Sequence, residues 1–407
     1  MEVGLTSSRR YRWFVVAVMW AVHFIYFSTY SSVGALGPLL KQDLALSNTQ
    51  FGMLCGAIGV GTTSAQLPGG IWADRIGVRN VIALSFLGIG VTAFVFSVTG
   101  GLAFGCLMLF ALGLAVGCSQ IAGTKSIVDW FPSDGRATAM GIKQTGVNAG
   151  GTLASLLLPL ATGLFGWRFL YKGMGISVCL AAVLFFALYR DPQRSEKESA
   201  PMIASFRTGL LALRNRRFLL ITIIGLFLIV VQFSFSSYLV LYLSQHLHLP
   251  LAFAGSILAV SFAAGAAGRI GWGIVGDYLF KSREVSMVVL GILGVLVCIT
   301  LAFLSSSTPV WFLYVLAVMA GLTMLGWNGI WLSLVGDAAM AYSTGFAIGL
   351  CFLFANLGLF LGPPLFGLLS DLFHSFALSW LLLAFCLAGI STVMGLEARR
   401  QWKIAKT

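Results

Sequence analysis

Acidic side chains are scarce in this chain. Asp and Glu together number 13 in 407 residues, and all charged residues make up only 9%. A water-soluble domain carries about 25% charged residues, so this composition excludes an ordinary soluble enzyme. Cysteine is sparse too: Cys55, Cys106, Cys118, Cys179, Cys298, Cys351 and Cys386 fall in apolar stretches. Their spacing is neither paired nor ligand-like, so they read as small core residues and not as disulfides or zinc ligands. His-Glu-x-x-His, Gly-x-Ser-x-Gly and a Walker lysine are all absent, which leaves metal hydrolysis and ATP drive without a foothold. Gly271-Trp272-Gly273-Ile274-Val275-Gly276 spells Gly-x-Gly-x-x-Gly, but inside an apolar segment with no preceding strand, so it forms no dinucleotide loop. The expectation is a non-enzyme with no cofactor and no metal.

What is abundant is apolar length. Hydrophobic residues reach 58%, and segments long enough to cross a ~30 Å hydrocarbon core fall at about 13–36, 50–73, 80–98, 101–127, 137–163 and 169–189. Six more follow at about 218–243, 251–275, 285–305, 309–335, 344–369 and 374–396. The segments lack the dyad alternation of a membrane barrel, so helices are the remaining way to satisfy the backbone in lipid. This predicts an all-α membrane protein of twelve transmembrane helices, with residues 1–189 as one six-helix bundle, 190–217 as a basic cytoplasmic linker and 218–407 as a second bundle. The first segment lacks a small-residue cleavage site and is expected to stay in the membrane. Of the 25 Lys and Arg, nineteen fall on one side of this topology. Lys41, Arg168 and Lys172 lie on the other side, and Lys125, Lys143 and Arg269 lie within segments. The positive-inside rule then places both termini in the cytoplasm. It also explains the net charge of +12 without a nucleic-acid partner.

The chain repeats itself. Gly70-Ile71-Trp72-Ala73-Asp74-Arg75-Ile76-Gly77-Val78-Arg79 returns in weaker form at Gly273-Ile274-Val275-Gly276-Asp277, an offset of 203 (277 − 74). Ala139-Met140-Gly141 with Asn148 and Gly150 returns as Ala347-Ile348-Gly349 with Asn356 and Gly358, an offset of 208 (349 − 141). Parallel halves of a membrane protein meet around a substrate site near the bilayer midplane, which points to a transporter. Gly113-x3-Gly117, Gly146-x3-Gly150, Gly345-x3-Gly349 and Gly358-x3-Gly362 suit close helix packing.

With these residues in view, the chain resembles the major facilitator superfamily over nearly its whole length. The segment from Gly70 to Arg79 is similar to that family's signature between helices 2 and 3. The resemblance implies two pseudo-symmetric six-helix bundles that rock about a central cavity. Gly70, Asp74, Arg75, Gly77 and Arg79, with Gly273 and Asp277 in the second copy, are then gating residues. Asp74 is expected to accept from a neighbouring helix N-terminus, and Arg75 and Arg79 to pair across the cytoplasmic face. Trp130-Phe131-Pro132, Gly141-Ile142-Lys143-Gln144-Thr145-Gly146 and Gly326-Trp327-Asn328-Gly329 look similar to a bacterial branch associated with organic-anion or nitrate-type porters. The family's usual helix-4 arginine is missing near Ala111. Gly146-Val147-Asn148-Ala149-Gly150-Gly151 approximates the Gly-Pro-x-x-Gly-Gly of drug/proton antiporters, with Val147 in place of proline.

Charge inside a membrane is costly, roughly 2.5–3.5 kcal/mol per Arg or Lys at a helix centre on insertion scales, and marks function by default. Arg269 precedes Asp277 by eight residues, about 12 Å along a helix, close to mid-bilayer. Its counterpart by the repeat is Gln66 (269 − 66 = 203). Lys143 lies deeper in its segment than Lys125, which reads either as a substrate contact or as a structural partner of Asp129 at i,i+4. Gln144, Thr145 and Asn148 share a helix with Lys143. Tyr26, Tyr30, Gln232, Ser236, Tyr238, Asn328, Trp331 and Asn356 are further polar or aromatic candidates, of which Tyr30, Gln232, Asn328 and Asn356 join Arg269, Lys143, Gln66, Gln144 and Asn148 as the substrate-binding set.

Every Asp and Glu falls at a segment end or in a loop. Cations without compensating carboxylates favour an anion. His23 is the one other titratable group at depth, a candidate proton carrier set against a satisfied core histidine. The sequence thus predicts a monomeric secondary carrier of a small organic anion, a carboxylate, in a bacterial inner membrane. It works by proton symport or anion exchange, with the lipid bilayer and H+ as partners. Set against it are a proton-driven exporter of drugs or amphiphiles and a membrane sensor on the same scaffold.

Overall fold

The computed structural model describes residues 9–131, 133–192, 214–339 and 344–404. Most of the expected linker, residues 193–213, and Pro132 lie outside them. All regular elements among the described residues are helical. In the first half these are α1 (Arg9–Ala35), α2 (Gly37–Asp43), α3 (Asn48–Ile76), α4 (Val78–Phe96), α5 (Leu102–Trp130) and α6 (Ser133–Leu188). In the second half, α7 (Arg216–Gln245) precedes α8 (Leu251–Ile274), which runs into a π-turn at Val275–Leu279. After α9 (Arg283–Ala302) comes α10 (Val310–Ala320), followed by a second π-turn at Gly321–Leu325 and α11 (Asn328–Ala339). The last three are α12 (Thr344–Ala355), α13 (Leu357–Leu372) and α14 (Ala377–Ile404).

Among the described residues, ten stretches are long and apolar enough to span a membrane. One of them, Thr138–Leu188, is 51 residues long, more than twice the ~20 residues that a single crossing needs. Gly166 divides it at φ +73°, a backbone region that glycine enters without the Cβ penalty. Before this point α6 packs on α1: a Cβ at Gly150 would strike the Phe24 carbonyl oxygen. After it α6 packs on α4: a Cβ at Gly175 would stand 2.6 Å from the Gly90 carbonyl oxygen. The one helix therefore makes two spans. With α3, a 29-residue helix whose middle holds Thr62, Thr63, Ser64 and Gln66, the spans number twelve. The chain is a multi-pass membrane protein, and large apolar side chains such as Leu164, Leu180, Val183 and Phe385 stand on its exposed faces.

Contacts divide the described residues into two units. One runs to Leu46 and from Met53 to Pro192; the other comprises Ser47–Gly52 and everything from Arg214 on. Ser47–Gly52 falls in the second unit for a chemical reason. The Asp371 carboxylate accepts from the Asn48 and Thr49 backbone N–H groups at 3.0 and 2.7 Å and from the Thr49 hydroxyl at 2.6 Å. The start of a helix offers unsatisfied N–H donors and a positive dipole end, so a carboxylate there is well placed. In the same unit the buried Glu284 accepts from Arg217 and Gln401, both at 2.9 Å, tying the starts of α7 and α9 to the end of α14.

The sequence repeat is also a repeat of contacts. Gly150 faces the Phe24 carbonyl in the first unit, and Gly358 faces the Leu226 carbonyl, 2.6 Å from a Cβ built on it, in the second. At such crossings the helices touch backbone to backbone, the packing that small residues permit in lipid. Gly150→Val is expected to lower the unfolding temperature in detergent, by an overpacking cost of about 1–3 kcal/mol. Gly141→Ala, where a Cβ meets nothing within 4 Å, leaves it unchanged. Equal unfolding temperatures for the two variants would contradict this account of the α1–α6 contact.

Candidate functional site

Polar side chains from the candidate set lie within both units. In the first, Lys143 on α6 is 2% exposed, and its ammonium donates to the Thr124 hydroxyl of α5 at 2.8 Å. Among the described residues it has no carboxylate partner. His23 on α1 is fully buried, with Nδ1 2.9 Å from the Met19 carbonyl oxygen one turn earlier. That carbonyl can only accept, so Nδ1 carries the hydrogen and Nε2 is left as an acceptor. Nε2 is buried with no hydrogen-bond partner. The core-histidine reading thus holds for one ring nitrogen and not the other. The Trp20 indole donates to the Thr145 hydroxyl at 3.0 Å, joining α1 to α6. Asn148 is buried, while Gln66, Gln144 and Tyr30 are half-buried, and the Tyr30 ring stacks on Phe27.

In the second unit Arg269, half-buried on α8, donates through Nε to the Leu325 carbonyl of the π-turn at 3.4 Å. Asn328 donates to the buried Gln232 side chain at 3.4 Å, so the structure brings these two expected residues together. Asn356, also buried, stands between α12 and α13 and divides the segment expected over 344–369. Two candidates have structural partners instead. The Trp331 indole, fully buried, donates to the Ile221 carbonyl at 2.9 Å, and the Tyr238 hydroxyl donates to the Asn48 carbonyl at 2.6 Å. Ser236 bonds back to the Phe233 carbonyl of its own helix.

Asp74 and Arg79, both expected to gate, have side-chain partners among the described residues. Asp74 pairs with Lys125 at 3.0 Å, and Lys125 also reaches Asp129 at 3.2 Å. Lys125 is therefore an ion-pair bridge, the structural alternative of the two read from sequence. Arg79 donates from Nε to the Phe186 carbonyl at 2.7 Å, with its guanidinium 4.0 Å over the Phe186 ring. Its backbone N–H is taken by Asp191, at 3.2 Å to Oδ1. Burial pushes the Asp191 carboxyl up, against the downward pull of the Arg79 and Val78 N–H groups. Gly77, at φ +89°, lies where a Cβ would strike this carboxylate. In the second unit Arg283 lies 3.7 Å from Asp277 and 2.6 Å from Asp337. Asp129 and Asp337 are repeat equivalents (337 − 129 = 208), so each unit bridges the same two acids with one cation. The cation comes from α5 in one unit and from α9 in the other. Sequence reading missed Thr124, Trp20 and Arg283 because nothing in the residue pattern distinguishes them from ordinary helix residues.

A twelve-span helical protein built as a twofold repeat, with cations but no carboxylates at depth, has the architecture of a secondary carrier. The chain belongs to the Major Facilitator Superfamily, which it matches over residues 18–363; it is a membrane transporter and not an enzyme. It is 25% identical to the probable galactarate/D-glucarate transporter of Bacillus subtilis over 407 aligned residues, covering 90% of this chain and 87% of that protein. It is also 25% identical to the hexuronate transporter of the same organism, with 86% of each chain covered. Among solved structures, a bacterial homologue of the human lysosomal transporter Spinster superposes with a TM-score of 0.80 at 19% identity, over 95% of this chain and 94% of that one. The nucleoside transporter NupG superposes with a TM-score of 0.76 at 15% identity, over 94% of this chain and 98% of that one. The chain is thus related to sugar-acid transporters and shares its fold with carriers of other solutes.

Exposed ion pairs are worth less than about 1 kcal/mol, so the Asp74–Lys125 pair, with Asp74 68% exposed, can break during a transport cycle. Asp74→Asn is expected to slow turnover in proteoliposomes while leaving KM and the unfolding temperature near wild type. A large rise in KM at normal turnover would make Asp74 a binding residue instead.

Proposed function

We propose that the protein carries a small organic anion, a sugar acid or related carboxylate, across the inner membrane of a bacterium with both termini in the cytoplasm, by proton symport or anion exchange. The observation that carries this reading is a cation within an apolar span of each unit, Lys143 in one and Arg269 in the other, with no acid residue at comparable depth in the sequence. An anion gains from such a field and a cation loses. The sugar-acid names of the relatives agree with it, and the amides of Gln232, Asn328 and Asn148 offer donors and acceptors suited to hydroxyl groups. The carrier acts as a monomer with Arg269, Lys143, Gln66, Tyr30, Gln144, Asn148, Gln232, Asn328 and Asn356 as its contact set. Guanidinium holds a carboxylate through two parallel hydrogen bonds, which makes Arg269 the principal anchor.

The direct test is a thermal-shift screen of purified protein against D-glucarate, galactarate, hexuronates, inorganic phosphate, neutral sugars and cationic drugs. Sugar acids are expected to raise the unfolding temperature, because a ligand that binds only the folded state stabilises it. A shift with cationic drugs alone would support an amphiphile exporter. Arg269→Lys is expected to reduce uptake of the stabilising acid at least about tenfold, in line with the ~1.5–3 kcal/mol of a hydrogen bond to a charged group, while membrane insertion is unaffected. Normal transport by this variant would remove Arg269 from the site.

Coupling is tested separately, because the sequence offers no carboxylate at depth to carry a proton. In proteoliposomes loaded with unlabelled acid and without a pH gradient, His23→Gln is expected to exchange labelled acid at the wild-type rate. It is also expected to retain uptake driven by an imposed pH gradient, the proton travelling with the bound carboxylate beside Lys143 or Arg269. Loss of gradient-driven uptake with normal exchange would assign the proton to His23.

A further inference from the structure

The π-turn at Gly321–Leu325 lies beside Arg269. A π-turn closes hydrogen bonds five residues apart instead of four, and such turns recur at functional sites. Two donors from α8 take carbonyls of this turn: the Trp272 indole donates to Leu322 at 2.8 Å, and Arg269 Nε to Leu325 at 3.4 Å. Arg269 and Trp272 are three residues apart on one face of α8, and both bonds join that face to the same turn. The two bonds differ in length. The indole bond has ordinary length, while the guanidinium bond is at the long limit for N–H···O. The shorter bond therefore holds the turn against α8, and the longer one follows. The backbones are close enough for this to matter: a Cβ at Gly268 would stand 2.9 Å from the Leu322 carbonyl oxygen, and one at Gly329 would stand 2.8 Å from the carbonyl oxygen of Arg269 itself.

We propose that Trp272 is a positioning residue for the Arg269 guanidinium, acting through the Gly321–Leu325 π-turn. The indole N–H pins the turn, the pinned turn presents the Leu325 carbonyl to Arg269 Nε, and that bond aims the guanidinium. Recognition of a carboxylate by a two-pronged guanidinium depends on this aim. The proposal rests on the reading of Arg269 as a substrate anchor.

Trp272→Phe keeps an aromatic ring and deletes the N–H donor. Deleting Leu322 removes the inserted residue, allowing the turn to close as α-helix while the flanking residues keep their faces. Trp311→Phe, at a 67% exposed position, is the control. The measurements are initial rates of D-glucarate uptake into proteoliposomes and hydrogen exchange of amides 321–329 without ligand. Trp272→Phe is expected to raise KM about three- to tenfold, the effect of one lost hydrogen bond, to leave kcat within about twofold, and to speed exchange across the turn. The Leu322 deletion raises KM in the same way, and the control changes neither quantity. Wild-type KM in Trp272→Phe alongside failed uptake by Arg269→Lys would overturn the proposal and leave the anchor standing. Normal D-glucarate uptake by Arg269→Lys would overturn both. The exchange measurement needs no substrate, so unchanged exchange in Trp272→Phe overturns the proposal whatever anion is carried.

Discussion

Inside a hydrocarbon layer no water is available to satisfy a peptide group, so every N–H and C=O must find a partner within the protein. This constraint makes the chain all-helical, and it also gives meaning to each place where the helical ladder is interrupted. At Gly166 the break separates two spans of one continuous helix. At Gly321–Leu325 the ladder shifts to π spacing, and carbonyls of that turn receive bonds from Trp272 and Arg269. The cation read as the anchor of the second unit is thus bonded to the backbone at an irregularity in the neighbouring helix.

The same lack of solvent sorts the charges. Carboxylates occupy helix ends, where backbone N–H groups and basic side chains meet them: Asp371 at the start of α3, Asp191 at the start of α4, Glu284 under Arg217. At the ends nearest the signature, one cation spans two acids in each unit, Lys125 between Asp74 and Asp129, Arg283 between Asp277 and Asp337. The acids repeat and the cations do not. Bridging requires only that a positive group reach both carboxylates, which more than one helix can provide.

At depth the two units diverge. The counterpart of Arg269 is Gln66, and the counterpart of Lys143 is Cys351 (351 − 143 = 208), whose sulfur receives the Thr222 hydroxyl. Each unit therefore places its cation at a position where the other is uncharged. By contrast, the glycine crossings that hold the spans together are kept in both, as Gly150 and Gly358 show. Packing geometry leaves little freedom at a backbone contact, while a polar position can change its chemistry without disturbing the scaffold.

The amino-acid sequence by itself determined the spans, the twofold repeat, the signature loop, and the residues whose charge lies inside apolar segments. It could do so because lipid imposes a composition on every residue of a span, and composition is legible without coordinates. It also determined that Gln232 and Asn328 are polar at depth; that they bond to each other came only from the fold. Tertiary structure alone decided that Lys125 also serves Asp74, that Arg79 turns to Phe186, that Trp331 and Tyr238 bond to backbone carbonyls, and that the helix after Ala320 takes a π-turn. The side-chain bonds are choices among partners distant in sequence, and π spacing differs from α by one residue, too little to alter an apolar pattern. Which partner wins is set by the distance and direction between helices, and those exist only once the chain is folded.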